Sequence, residues 1–191
     1  MSDQTARILS SARDIYLEEG LQGLSMRKIA AKVGVSATAL YRHFDNKEAI
    51  VAEMLEEGFR IFGRYLYMAL REPTVEGRMR ASGQAYVSFA LEQPKYYETI
   101  FMSPTETWAE QPPESHIEGG MATFQFLVDR VKEGMDAGIF RKDDPEDVAV
   151  TIWAQSHGLV SLYLTGRIEA TEAEFREMYL RHSARLIEGL G

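Results

Sequence analysis

Cysteine is absent from the sequence, which excludes disulfide bonds, thiolate-held metal ions and cysteine nucleophiles. Long apolar runs are absent as well, and no stretch approaches the ~18 residues of a membrane-spanning helix. The first residues lack the charged and then apolar order of an export signal. We therefore expect a cytoplasmic protein that has no membrane partner.

Motifs for catalysis and metal binding are also missing. There is no phosphate-binding glycine loop, no HExxH pattern and no closely spaced pair of histidines. The four histidines, at positions 43, 116, 157 and 182, lie far apart in the sequence. We predict no metal ion, no cofactor and no enzymatic activity, although residues distant in sequence can still converge in a fold.

Positive charge is scarce overall but concentrated in one segment. Lys and Arg number 21 against 29 Asp and Glu, so the formal net charge is −8, which does not suit a polybasic coat for nucleic acid or membranes. Residues 25–47 are the exception, because only Asp45 opposes their basic side chains. These basic residues are Arg27, Lys28, Lys32, Arg42 and Lys47. Such a segment is typical either of a phosphate-facing surface or of a solvated helix face with skewed charge.

Apolar residues recur at helical spacing along nearly the whole chain, and no useful length alternates with a period of two. The length of 191 residues and the apolar content of 45% suit one or two globular domains. We therefore predict an all-α fold of about nine helices. The expected spans are 5–19, 25–34, 36–44, 46–70, 75–92, a piece from 94, 116–136, 145–165 and 171–188. The proline-rich stretch 103–114 predicts a loop.

Most predicted helix ends carry residues that satisfy free backbone groups. The expected N-caps are Ser25, Ser36, Asp45, Asp144 and Thr171, and Asp45 and Thr171 have the capping-box spacing to Glu48 and Glu174. The expected stops are Gly20, Gly34, Gly138 and Gly166.

Residues 25–44 predict two short helices joined by a tight turn at Gly34. Ile29, Ala30, Val33, Val35 and Leu40 are spaced to pack these helices together. In a helix-turn-helix the second helix enters the major groove of DNA, while flanking groups hold phosphate. Here that helix would expose Ala37, Thr38, Tyr41 and Arg42. A purely structural helical hairpin has the same spacing.

Residues 5–59 resemble the DNA-binding domain of the TetR-family transcriptional regulators. The matching pieces are Ile8–Gly20, Leu24–Ala30, Gly34–Ser36, Leu40–Phe44 and Asn46–Glu48. The resemblance implies a three-helix DNA-binding domain over residues 1–47, linked by the long helix 46–70 to a larger helical domain over 48–191. That larger domain is expected to bind a small molecule and to form a homodimer.

By the same resemblance, Ser25, Tyr41, His43 and Lys47 are expected to contact the DNA backbone. Candidates for reading bases are Arg27, Ala37, Thr38 and Arg42, and Lys28 and Ser36 complete the expected DNA-binding set. Thr38-Ala39 stand where family members often carry Gly-Thr, so the usual hydroxyl at position 39 is missing. We expect Thr38 either to replace it or to read a different base. His43 has an alternative role in packing beside Phe44.

Residues 86–126 hold eight of the 20 aromatic side chains. Such a density is typical of an ordinary core, whereas the resemblance implies a ligand pocket, and the spacing does not separate the two. The candidate pocket residues are Tyr86, Phe89, Tyr97, Phe101, Met121, Phe124, Trp153 and His157. Trp153 and His157-Gly158 resemble a signature of one subset of TetR C-terminal domains, and His157 also has a purely structural reading.

The last two helices carry apolar stripes, and the family resemblance implies that they pair with their copies across a dimer interface. The helix after Pro145 is apolar on two faces, which predicts burial on two sides. The candidate interface residues are Val160, Tyr163, Phe175, Met178, Tyr179, His182 and Leu186. The stripes themselves fit packing within one chain equally well.

Together these observations predict a homodimeric, ligand-responsive regulator, most simply a repressor, that binds a palindromic double-stranded DNA operator. An apolar or aromatic small molecule would release it. One alternative is a helical small-molecule-binding protein or enzyme that no longer binds DNA. Another is an activator or a non-specific architectural binder, which would gain little affinity for specific over random DNA.

Overall fold

A computed structural model of the chain describes residues 3–102 and 114–191, and within these ranges the side chains of residues 21 and 114–117 are not described. Residues 103–113 of the loop predicted over 103–114 therefore lie outside the described residues. The side chain of the histidine at position 116 lies outside them too. The described ranges contain nine α-helices and no strand, which confirms the predicted all-α fold. No described helix has the length and apolar character needed to cross a membrane.

The helices follow one another as short and long segments. They are α1 (Asp3–Gly23), α2 (Met26–Val33), α3 (Ala37–Tyr41), α4 (Lys47–Met68), α5 (Val75–Glu92), α6 (Pro94–Tyr97), α7 (Glu114–Asp136), α8 (Pro145–Leu164) and α9 (Glu172–Leu190). A 3-10 turn, Ala69–Arg71, follows α4, and a π-helical turn, Glu98–Met102, follows α6.

Four of the predicted N-caps are confirmed. The Ser25, Ser36 and Asp144 side chains accept hydrogen bonds from the first turns of α2, α3 and α8. Thr171 forms the complete capping box with Glu174 at the start of α9. These side chains fix where each helix begins, because they satisfy backbone N–H groups that have no partner inside the helix.

Two helix ends differ from the sequence expectation, and a third is interrupted at the expected residue. Asn46 replaces Asp45 as the capping side chain of α4, and its Oδ1 accepts the backbone N–H of Ala49 at 2.8 Å. The stop expected at Gly20 coincides with a non-helical residue (φ 70), which separates two helical pieces of α1, the second of them ending at Gly23. Helix α3 ends at Tyr41 and not at Phe44, because the chain turns after it.

Among the described residues, the first compact unit comprises residues 3–60, 95–102 and 114–119. Its core is formed by the inner faces of α1, α2, α3 and the first part of α4. The buried side chains include Ile8, Leu9, Ile15, Leu24, Ile29, Leu40, Ile50 and Met54. This unit contains all the predicted DNA-binding residues, while the functional boundary expected at residue 47 stays a prediction.

The segment after Pro94 joins this first unit although it is distant in sequence from α1. The Arg13 guanidinium lies 4.1 Å above the Tyr96 ring, and Phe59 and Phe101 have their ring centroids 6.1 Å apart. Gly58 lets the segment approach α4 closely, because a Cβ there would lie 2.7 Å from Ile100 Cγ2. Residues 96–101 are thus held against both α1 and α4.

The second compact unit comprises residues 61–94 and 120–191. One cluster of its core joins α5, α7 and α8 through Met79, Val128, Val131, Met135, Phe140, Val148 and Ala149. Glu133 of α7 receives hydrogen bonds from Arg78 and Arg130 at 2.9–3.1 Å. Burial acts to raise the pKa of the Glu133 carboxyl, but the two arginines outweigh it and hold the pKa below its ordinary value.

Candidate nucleic-acid interface

The two short helices α2 and α3 pack through the apolar side chains that the spacing indicates. Met26, Ile29, Ala30 and Val33 of α2 are buried, and Leu40 of α3 is fully buried. Gly34 joins them with φ 79, a left-handed conformation that favours glycine, and its N–H reaches the carbonyls of Ala30 and Ala31. The turn is therefore fixed by backbone bonds, and the polar side chains of both helices are left to face outward.

The predicted DNA-binding side chains lie on the outside of this pair. Nine of the ten are exposed, and Lys47, the first residue of α4, is half-buried. Tyr41 is the largest apolar member and is 53% exposed. An exposed tyrosine beside Arg42 and His43 does not contribute to the chain's own core and is available for a contact with another molecule.

The serines of the set already serve the helices. Ser25 Oγ accepts the backbone N–H of Lys28 at 3.3 Å, and Ser36 Oγ accepts that of Ala39 at 3.1 Å. A capping hydroxyl uses its oxygen as an acceptor and keeps its hydrogen to donate. Both serines can therefore cap a helix and donate to a phosphate oxygen.

Two basic residues of the segment are paired with acids of α1, which the sequence analysis did not anticipate. Lys28 forms an ion pair with Glu19, and Lys32 Nζ lies 3.8 Å from Asp14 Oδ2. The Lys95 ammonium also donates to Asp14, and this hydrogen bond holds the pKa of the Asp14 carboxyl below its ordinary value. Sequence spacing could not reveal these pairs, because the partners lie 9 to 81 residues apart.

The candidate pocket residues fall into separate groups. Tyr97 and Phe101 belong to the first unit, where their ring centroids lie 5.2 Å apart. Four of the others form a connected cluster in the second unit, namely Tyr86, Phe124, Trp153 and His157. Trp153 lies 6.3 Å from Phe124 and 6.1 Å from His157 between ring centroids, and Tyr86 Oη lies 3.4 Å from His157 Nδ1. Burial lowers the pKa of the His157 imidazole.

Two further pocket candidates take different positions in the second unit. Phe89 is fully buried and packs on Phe62, with a centroid distance of 4.9 Å. Met121 is 66% exposed and lines no described cavity.

A groove in the second unit lies along α5 and the end of α4, and none of its lining residues was a predicted pocket residue. Its volume is about 320 Å³, and its lining residues are Tyr65, Met68, Ala69, Ala81, Gln84, Ala85, Ser88 and Glu92. Tyr65 Oη donates to Glu92 Oε2 at 2.9 Å, and burial together with this carboxylate raises the pKa of Tyr65. Alanines form much of the lining. A search for segments rich in aromatic residues therefore does not find this groove.

The candidate dimer residues divide by burial, which corrects part of the expectation. Val160, Phe175 and Tyr179 are fully buried within their own chain, so their side chains cannot form a second surface. Tyr179 donates to Ser156 Oγ at 3.0 Å, and burial raises its pKa to about 12. The partly exposed candidates are Tyr163, Met178, His182 and Leu186.

Comparison with known proteins gives the family. Residues 8–54 match the profile of the bacterial regulatory proteins of the tetR family. Residues 79–186, more than half of the chain, match a tetracyclin repressor-like C-terminal domain. The chain belongs to the TetR family. It is a DNA-binding regulator of transcription and not an enzyme. Within the described residues, no group of three or more acidic or histidine side chains could hold a metal ion.

Individual relatives agree with this assignment. The transcriptional repressor KstR2 of Mycobacterium tuberculosis is 30% identical over 147 residues, which cover 75% of this chain and 72% of that protein. A Rhodococcus sp. RHA1 protein of unknown function is 26% identical with a TM-score of 0.80, over 100% of this chain and 96% of that one. The structure of AibR with isovaleryl coenzyme A and operator DNA shares the fold, with 19% identity, a TM-score of 0.77 and coverage of 93% and 96%.

Proposed function

We propose that this regulator is a homodimeric repressor that binds a palindromic operator and leaves it when a small molecule binds. The observation that carries the proposal is the outward display of Thr38, Tyr41, Arg42 and His43 over a buried helix-turn-helix core. Two such helices in a dimer would read two half-sites about 34 Å apart, or a multiple of that distance. As a regulator of chromosomal genes it would act in the cytoplasm.

The side chains divide into two proposed roles. Ser25, Lys28, Ser36, Tyr41, His43 and Lys47 would hold backbone phosphates. Arg27, Ala37, Thr38 and Arg42 would face base edges in the major groove. Exposure of nine of the ten side chains supports both roles.

The dimer would form through the partly exposed residues of α8 and α9. The candidates with apolar and polar area at the surface are Tyr163, Met178, His182 and Leu186. They can pair with a second chain while Phe175 and Tyr179 stay buried in the core. A self-complementary pairing of this kind would place the two reading helices with the two-fold symmetry of a palindrome.

The effector would have an apolar body and bind in the second unit. Tyr86, Phe124, Trp153 and His157 combine aromatic rings with two hydrogen-bonding groups, a mixture typical of small-molecule sites. Because AibR was solved with isovaleryl coenzyme A, acyl-coenzyme A thioesters are the first compounds to test. Coupling of about 1–3 kcal/mol between the two sites would weaken DNA binding roughly 5–150-fold.

The proposal is tested by fluorescence anisotropy of the full chain with duplex DNA from upstream of its own gene and with a shuffled duplex. We expect tight binding to the first duplex only, and release of that complex by an acyl-coenzyme A series. The Trp153→Ala variant should bind DNA normally and lose the response to the effector. Equal binding to both duplexes would reject specific regulation, and binding to neither would reject the DNA-binding role altogether.

A further inference from the structure

The five basic residues of the segment 25–47 are not equivalent. Lys28 and Lys32 are paired with carboxylates of α1, whereas no carboxylate lies within ion-pair distance of Arg27, Arg42 or Lys47 among the described residues. The pair with Lys28 is the simpler of the two, because Glu19 holds one cation, whereas the partner of Lys32 is shared with another lysine. Carboxylates of α1 thus neutralise part of the positive charge of the segment 25–47.

The position of Glu19 is fixed by glycines at the end of α1. Gly20 follows it with φ 70, so the helix axis changes direction directly after Glu19. A Cβ at Gly23 would lie 2.9 Å from Glu19 Oε2, so the missing side chain at Gly23 leaves the space that the carboxylate occupies. The Glu19 side chain therefore lies over the last turn of α1 and contacts Lys28 in the first turn of α2.

Lys28 is held at both ends. Its backbone N–H donates to Ser25 Oγ at 3.3 Å, and its ammonium pairs with Glu19. The ammonium can donate to a carboxylate or to a phosphate, and the two anions repel each other when both approach it.

We propose that Glu19 competes with DNA phosphate for Lys28, and so lowers the affinity of the protein for duplex DNA of any sequence. This inference rests on the proposed DNA-binding function. Phosphate contacts supply most of non-specific binding, so a carboxylate that occupies a cation limits binding to random DNA. Glu19 is then a positioning residue. By weakening the phosphate contact, it increases the share of the DNA-binding affinity that comes from contacts with bases.

The size of the effect follows from exposure. The Lys28 and Glu19 side chains are 45% and 40% exposed, and exposed ion pairs are weak. Removing the competitor should strengthen DNA binding by roughly 1.4-fold to fivefold for each subunit. One more neutralised phosphate steepens the slope of log K against log salt by about 0.9, or about 1.8 for a dimer with one at each subunit.

The experiment measures that slope by anisotropy, with operator and shuffled duplexes, for the wild type, Glu19→Gln, Lys28→Gln and the double variant. We expect Glu19→Gln to strengthen binding to both duplexes and to steepen the slope. Lys28→Gln should flatten the slope less in the wild-type background, where Glu19 already competes for the ammonium, than in the Glu19→Gln background, where it should abolish the gain. Glu18→Gln removes the same charge one residue away, from a glutamate with no ion partner among the described residues, and should leave the slope unchanged.

Several results would overturn the inference. One is an unchanged slope in Glu19→Gln, and another is an equal gain from Glu18→Gln, which would mean a general charge effect. A third is a Lys28→Gln variant that loses the same slope in both backgrounds. If neither the wild type nor Glu19→Gln binds any duplex, the proposed function fails as well, whereas normal wild-type binding with these results rejects the role of Glu19 alone.

Discussion

The α2–α3 pair and the α8–α9 pair both consist of consecutive helices, but they use their side chains in opposite ways. In α2–α3 a few non-aromatic apolar side chains are buried, and Thr38, Tyr41 and Arg42 remain outside. In α8–α9 the large aromatic side chains Phe175 and Tyr179 are themselves the buried core. The exposed polar residues of the short helix α3 are therefore candidates for contact with another molecule. An apolar stripe, in contrast, does not indicate whether it packs within its own chain or against a second one.

The comparison is tested most strongly at Phe175, which stacks on Tyr163 with a centroid distance of 4.1 Å. Phe175→Ala should lower the free energy of unfolding by about 3–5 kcal/mol, because it leaves a cavity in the core. Leu186→Asp, at a partly exposed position, should instead promote dissociation of the proposed dimer while the helix content is preserved.

Urea unfolding followed by circular dichroism measures the first effect, and sedimentation velocity measures the second. If Phe175→Ala proves to be a stable monomer, that side chain belongs to the interface, and the division by burial is wrong.

A base-reading role for Thr38 predicts the next largest effect. Thr38→Val keeps the shape of the side chain and removes the hydroxyl, so discrimination at one operator position should fall by about 1–3 kcal/mol. Binding to a set of operators with single base changes measures this discrimination. A uniform loss across the set would mean that Thr38 contacts the backbone.

Lys47 should behave in the opposite way. Lys47→Ala removes a cation at the start of α4, so binding should weaken for all sequences, and the salt dependence should become shallower by about one unit of slope for each subunit. The measurement is a salt titration with specific and random duplexes. Altered base preference with an unchanged slope would contradict the phosphate role.

The N-caps of the two regions allow a matched test. Ser36→Ala and Thr171→Ala each remove a side chain that accepts a backbone N–H, at the starts of α3 and α9. Each should cost about 1 kcal/mol of stability in thermal unfolding. DNA affinity should fall only for Ser36→Ala, and an equal fall for Thr171→Ala would show that the loss reflects general destabilisation.

The smallest effect concerns pH and His157. Since burial lowers the pKa of His157 in the folded protein, the unfolded chain binds this proton more readily. Stability should therefore fall as the pH drops through about 6.5, the ordinary histidine range, towards the lower folded value. His157→Gln should flatten this dependence, as measured by urea unfolding between about pH 5 and 8, and His43→Gln serves as the control at an exposed position.

Much of the architecture was predictable, because helix periodicity and capping are local. Ser25, Gly34, Ser36 and Thr171 mark their helix ends by chemistry that needs no tertiary contact. The predicted cap of α4 is wrong by one residue, since Asp45 and Asn46 both suit that role and only the folded backbone chooses between them.

The rest depends on contacts between distant residues. The ion pairs of Lys28 with Glu19 and of Lys95 with Asp14 join side chains that are nine and 81 residues apart, a distance over which helical spacing predicts no pairing. Periodicity places Tyr179 on an apolar face but does not identify what covers that face, which proves to be the chain's own core. The groove along α5 could not be predicted because alanine and serine lining has no distinctive pattern.

The central claim is that the basic segment 25–47 binds DNA in a protein that is otherwise acidic. It is tested most directly by the affinity of the purified full chain for its own upstream duplex and for a shuffled one, from low to physiological salt. The account predicts that the upstream duplex binds about a thousandfold tighter or more at physiological salt, and that both affinities fall steeply as salt rises. No binding to either duplex, even at low salt, would contradict it.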